Sequence, residues 1–128
     1  MATRTCRLAT ISQEITKRIM AMLFSLSGTY TPEALRAIQK KPSNRREAAE
    51  KVVTAAGGKM IAFYRTMADG PGFLLIFDAD AVSAAALNAV AVAGGAMANV
   101  KFGRLWSDEE MPALRKKWAE IADAYKAP

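Results

Sequence analysis
Between Met22 and Trp106 the apolar positions fall into runs whose rhythm changes from one to the next. Phe24 and Leu26 alternate with Ser25 and Ser27, the period of two expected of a strand with one face in a core, so a first strand is predicted over 22–28. Thr31-Pro32-Glu33 then opens a helix. Threonine can cap, proline suits the first helical position, and glutamate favours the positive end of the helix dipole. Pro42 interrupts this helix, because proline lacks an amide hydrogen and clashes with the preceding turn. The helix resumes at Asn44, with Glu47 as a capping-box partner and Ala48, Ala49, Val52, Val53 and Ala56 as its buried stripe. Gly57-Gly58 ends it.

A second strand is predicted over 59–67, with Ile61 and Phe63 on one face and Met60, Ala62, Tyr64 and Thr66 on the other. Asp69-Gly70-Pro71-Gly72 is a turn, since proline presets φ and glycine supplies positive φ. Phe73 to Phe77 is almost continuously apolar, the pattern of a central strand covered on both faces. An alanine-rich helix runs from Asp80 to Ala93 and stops at Gly94-Gly95. A fourth strand is predicted over 98–106, with Val100, Phe102, Arg104 and Trp106 on one face. Ser107 to Glu110 has the S-x-x-E form of a capping box. The helix after it carries Met111, Leu114, Trp118, Ile121 and Tyr125 as a stripe suited to packing on the domain or on a neighbouring subunit. The order is β-α-β-β-α-β plus a C-terminal helix. The fold class expected is therefore α+β: ferredoxin-like, with a four-stranded antiparallel sheet and helices on one face. Residues 21–128 form one domain in this reading.

Residues 1–20 lack such a pattern and resemble a poorly structured tail. Lys17-Arg18 before the apolar stretch Ile19 to Leu26 has the outline of a secretory signal. Those apolar residues are needed for the first strand, however, and no small-x-small cleavage site follows. A true start at Met20 or Met22 would make 1–19 an artefact of start-site assignment, which the intact mass of natively expressed protein would test.

Composition narrows the chemistry. A chain of 128 residues, 52% apolar and 23% charged, has the make-up of an ordinary soluble globular domain. No apolar stretch approaches the roughly 20 residues of a membrane span. Cys6 is the single cysteine, so no internal disulfide forms, and a cytoplasmic location is expected. There is no histidine, which excludes Ser–His and Cys–His nucleophiles and His-ligated metal centres. Asp78 and Asp80 are expected to start a helix instead of binding metal. No phosphate-binding glycine motif occurs, and the two Gly-Gly pairs follow helices instead of preceding them. No cofactor, metal or catalytic residue is assigned. The net charge is +6, half of it within residues 1–21, so the body of the protein is only mildly basic. Lys40, Lys41, Arg45 and Arg46 cluster around Pro42 without interleaved aromatic residues, so a solvated helix junction is expected there and nucleic acid is not.

The better candidates line the sheet face that the helices leave uncovered. Ser25 and Ser27 on the first strand and Tyr64 and Thr66 on the second share it, and Leu74, Ile76, Arg104 and Trp106 are expected to complete it. Two uses suit such a face. It can pair with a second copy of the chain, since a lone apolar sheet face invites a homodimer or higher oligomer. It can also bind a small organic ligand, with Tyr64 donating a hydrogen bond and Arg65 or Arg104 pairing with an anionic group.

Several short motifs recur in one order: T-P-E-A-L from Thr31, R-x-E-A-A-E-K at Arg45 to Lys51, A-G-G-K at Ala56 to Lys59, F-Y-x-T-M at Phe63 to Met67, N-V-K-F at Asn99 to Phe102, and the final S-D-E-E. With them the chain resembles the GYD-domain family of small bacterial proteins over about residues 20–110. The family takes its name from a Gly-Tyr-Asp tripeptide entering the third strand, a place held here by Asp69-Gly70-Pro71. The resemblance implies a ferredoxin-like fold assembling through its sheet as a dimeric α+β barrel, with no settled activity. Fold-level analogy to other such barrels supplies an alternative, a cofactor-free isomerase or monooxygenase acting on a small aromatic or carbonyl compound. A third class is an interaction protein using the basic cluster or the Trp118 helix.

Overall fold
A computed structural model describes residues 22–128, so the segment 1–20, with Cys6 and the start-site question, lies outside the described residues. The chain divides into a unit Ala21–Leu105 and a second unit that takes in Trp106–Pro128. The first unit runs β1 (Leu23–Tyr30), α1 (Pro32–Lys40), α2 (Arg45–Ala55), β2 (Lys59–Thr66), β3 (Gly72–Asp78), α3 (Ala81–Ala93) and β4 (Met97–Leu105). The strands form one sheet in the order β2-β3-β1-β4, every neighbouring pair antiparallel. This is the expected ferredoxin-like arrangement. The second unit holds a 3-10 turn, Asp108–Glu110, and α4 (Met111–Ala122), the added C-terminal helix.

The helix ends form where the side chains allow it. Thr31 accepts a hydrogen bond from the Ala34 amide at 3.2 Å, and Asn44 accepts one from the Glu47 amide at 3.0 Å. Between these two caps Pro42 separates α1 from α2, as the sequence predicts. Asp80 caps α3: one carboxylate oxygen accepts from the Ser83 amide and the other from the Ser83 hydroxyl, both at 2.8 Å. These two bonds, the amide first, hold the Asp80 carboxyl below the ordinary carboxylate range. Gly57, at φ +78°, supplies the left-handed residue that ends α2. The Ser107 amide donates to the Glu110 carboxylate at 3.2 Å, closing the capping box ahead of α4.

The core lies on one face of the sheet. Phe24, Leu26 and Tyr30 from β1 and Phe73, Leu75 and Phe77 from β3 are buried against Val53 of α2 and Ala84 and Leu87 of α3. Phe24 stacks between Phe77 and Phe102, with ring centroids 5.9 and 5.5 Å away. Burial alternates along the whole of β1, as its period-two sequence requires.

The sequence reading needs correction at several places. β3 alternates too: Leu74 and Ile76 are half-buried and point away from the core side of Phe73, Leu75 and Phe77, so its continuous apolar run is not matched by helices of this unit on both faces. In β2 the pairing slips between Met60 and Ala62, which leaves Ile61 as an extra residue. Met60 therefore stands opposite Phe77 on the covered face, apart from Ala62, Tyr64 and Thr66. In α2 only Val53 of the expected stripe is buried, and Val52 is 44% exposed. In α4 no residue is buried.

Candidate functional site
The register decides which side chains share the face that α1–α3 leave uncovered. Residues directly opposite one another in antiparallel strands lie on the same side. Ser25 pairs with Ile76 and Ser27 with Leu74, while Tyr64 also pairs with Leu74 and Thr66 with Gly72. Ser25, Ser27, Tyr64, Thr66, Leu74 and Ile76 thus share the open face, as the sequence indicates. Tyr64 is 61% exposed there.

Arg104 does not join them. It stands opposite Phe24, and Phe102 stands opposite Leu26, so this part of β4 turns its Phe102–Arg104 side towards the covered face. The physical reason is that Phe102 is needed on the Phe24 ring, and a period of two carries Arg104 along with it. Trp106 lies beyond the end of β4, in the other unit. Arg65 pairs with Phe73 on the covered face, where its guanidinium sits 5.8 Å from the centre of the Tyr30 ring.

The same register brings in residues that the sequence reading missed. Lys101 pairs with Ser27 on the open face, one step out of phase with Phe102. A hollow of about 570 Å³ gathers Ser27, Thr29, Thr66, Asp69, Leu74, Asn99 and Lys101. Two of the predicted residues, Ser27 and Thr66, therefore meet in one depression, while Ser25 and Tyr64 lie on the same face outside its lining. The shape of the hollow depends on an irregularity: β4 has one residue more than β1 between the pairs Ser27–Lys101 and Thr29–Ala98. Asn99 takes up the slack at φ +53°, a conformation that asparagine tolerates better than most residues. Its side-chain amide donates to the Thr29 hydroxyl at 3.4 Å, and that hydroxyl donates to the Ala98 carbonyl at 3.3 Å.

Chemically the hollow offers the hydroxyls of Ser27 and Thr66, an ammonium group, a carboxylate and the apolar flank of Leu74. That set can hydrogen-bond a small polar molecule and neutralise an anionic group. Asp80 is used as a helix cap, and no cluster of three or more metal-ligating side chains occurs among the described residues. The basic cluster separates: Lys40, Lys41 and Arg46 are exposed, but Arg45 is half-buried and turned towards the interior. Among the described residues no helix is long and apolar enough to cross a membrane.

A family model described as GYD domain matches residues 24–114. No curated protein and no solved structure matches the chain.

Proposed function
Because the chain belongs to the GYD domain family, we propose that it is a small-ligand-binding module that works as a homo-oligomer, most simply a dimer joined through the open faces of two sheets. The observation behind this reading is the mixed character of that face. Leu23, Leu74 and Ile76 stand beside Ser27, Thr66 and Lys101. A purely structural interface has no use for an ammonium group in a hollow, and a purely polar site has no use for a central apolar strip. Pairing two such faces about a two-fold axis buries the strip and turns each hollow into a pocket with a few placed polar groups. The ligand class that fits is a small organic molecule with hydrogen-bonding oxygens and an anionic group for Lys101. Asp69 also lines the hollow; with Gly70 and Pro71 it stands at the place of the family's namesake tripeptide, whose tyrosine and aspartate are absent here. A cytoplasmic setting belongs to this reading, since the single cysteine suits a reducing compartment.

Size-exclusion chromatography with light scattering tests the assembly, and native mass spectrometry tests for bound ligand. The wild-type chain should run as a dimer or higher oligomer, and Ile76→Arg as a monomer with unchanged circular dichroism. A wild-type monomer at micromolar concentration would overturn the reading.

A further inference from the structure
We propose that the first unit holds a second site, under its helices, that binds a small aromatic carboxylate. It lies on the opposite side of the sheet from the hollow and stands independently of it. A cleft of about 220 Å³, open on one side, lies between α2, α3 and the covered face of the sheet. Larger side chains on the helices would close it to the packing density of a protein interior. Here the cleft comes from small residues that line it from the helices, Ala48 and Ala49 on α2 and Ala91 on α3, with Gly94 beside them. The sheet side contributes aromatic walls: Phe63 stacks on Phe73 at 5.5 Å, and Tyr30 tilts against Phe73 at 5.8 Å.

Arg45 is the charged residue in this lining. One of its terminal nitrogens, Nη1, donates to the Ser43 hydroxyl at 3.3 Å, while its Nε is buried with no hydrogen-bond partner. Buried donors are nearly always paired, and more so when the group is charged. A guanidinium edge that no group of the chain pairs matches a carboxylate, which accepts two parallel N–H bonds from such an edge. The size of the cleft defines the rest of the ligand. A cavity of about 150 Å³ lined by apolar side chains holds benzene. A cleft of about 220 Å³ therefore has room for one ring and a short acidic substituent. The rings of Phe63 and Phe73 in the lining suit an aromatic guest better than a flexible chain. Val52 and Val90, both in the lining and 44% and 62% exposed, mark an entrance between α2 and α3.

Titration of the full-length protein with benzoate, followed by NMR, tests the site. Saturable binding is expected, with intermolecular NOEs from the ring protons to the methyl groups of Leu75, Leu87 and Val52. Arg45→Gln should weaken benzoate at least tenfold while leaving the neutral probe benzyl alcohol within about twofold. Should that variant not fold, Arg45→Lys makes the same test, because it keeps the charge and loses the fork, and it should weaken benzoate several-fold. Ala49→Leu, which fills the cleft, should abolish binding of both probes. The proposal is overturned by any of three results: no saturable binding, NOEs confined to open-face residues such as Leu74, or undiminished benzoate affinity in the folded Arg45 variant.

Discussion

Gly72 faces Gly28 so closely that a methyl group on Gly72 would run into the Gly28 carbonyl oxygen. The two glycines stand on neighbouring strands, where Gly28 pairs with Phe73 and Thr29 with Gly72. Their close approach lets the turn before β3 fold back on β1, where the Tyr30 amide donates to the Pro71 carbonyl at 2.9 Å. Gly72→Ala must push the strands apart, and a destabilisation of roughly 2–3 kcal/mol is expected from such a clash. Gly103→Ala is the control: a Cβ at Gly103 meets nothing within 4 Å, and its effect should stay within about 0.5 kcal/mol. Urea denaturation of the two variants separates them, and equal midpoints would contradict the close-approach account.

The cap of α3 makes a pH-dependent contribution. The Asp80 carboxyl is held below its ordinary value of 3.8 by the Ser83 amide and then the Ser83 hydroxyl. A group with a lowered folded pKa contributes stability that is full above the unfolded value and is lost as pH falls through the folded one. Asp80→Ala should therefore melt below wild type at neutral pH, and the two melting curves should converge as the pH drops through and below 3.8. Thermal melts across that range check this, and a gap that stays constant with pH would rule it out.

Val52 and Val53 are neighbours in α2 with different surroundings. Val53 is 0% exposed and Val52 is 44% exposed. Val53→Ala removes two buried methyl groups and leaves a void, at a cost of roughly 2–3 kcal/mol. Val52→Ala should cost about 1 kcal/mol or less. A reversed order in chemical denaturation would mean that α2 is rotated about its axis relative to the arrangement described.

Local pattern carried the sheet a long way and then failed at identifiable residues. From Phe24 to Ser27 β1 alternates apolar and hydroxyl residues, so its two faces are legible without a partner. β4 alternates from Val100 to Arg104, which groups Phe102 with Arg104. Which face that group takes is set by Phe24 and Leu26 on the neighbouring strand, and nothing within β4 states it. Once Phe102 is assigned to the core, Lys101 must lie on the open face, so the hollow's ammonium group was one inference away. The slip at Met60 and the left-handed Asn99 are less accessible, because a single extra residue leaves composition unchanged and only shifts phase. Arg45 was hidden differently. In the sequence it is one of four clustered cations, and only the packing of α2 shows that it faces inward while its neighbours face out.

The two phase slips have a consequence for how copies of this chain can meet. Both fall on the outermost strands, β2 and β4, and in each the extra residue belongs to the outer strand. An unbroken rim is a template on which sheets join side by side without end, and a kinked rim is a poor one. Lys59 and Lys101 add like charges to those same two rims. Contacts along the rims are thus discouraged at both borders. That bias disfavours open-ended ribbons of this chain.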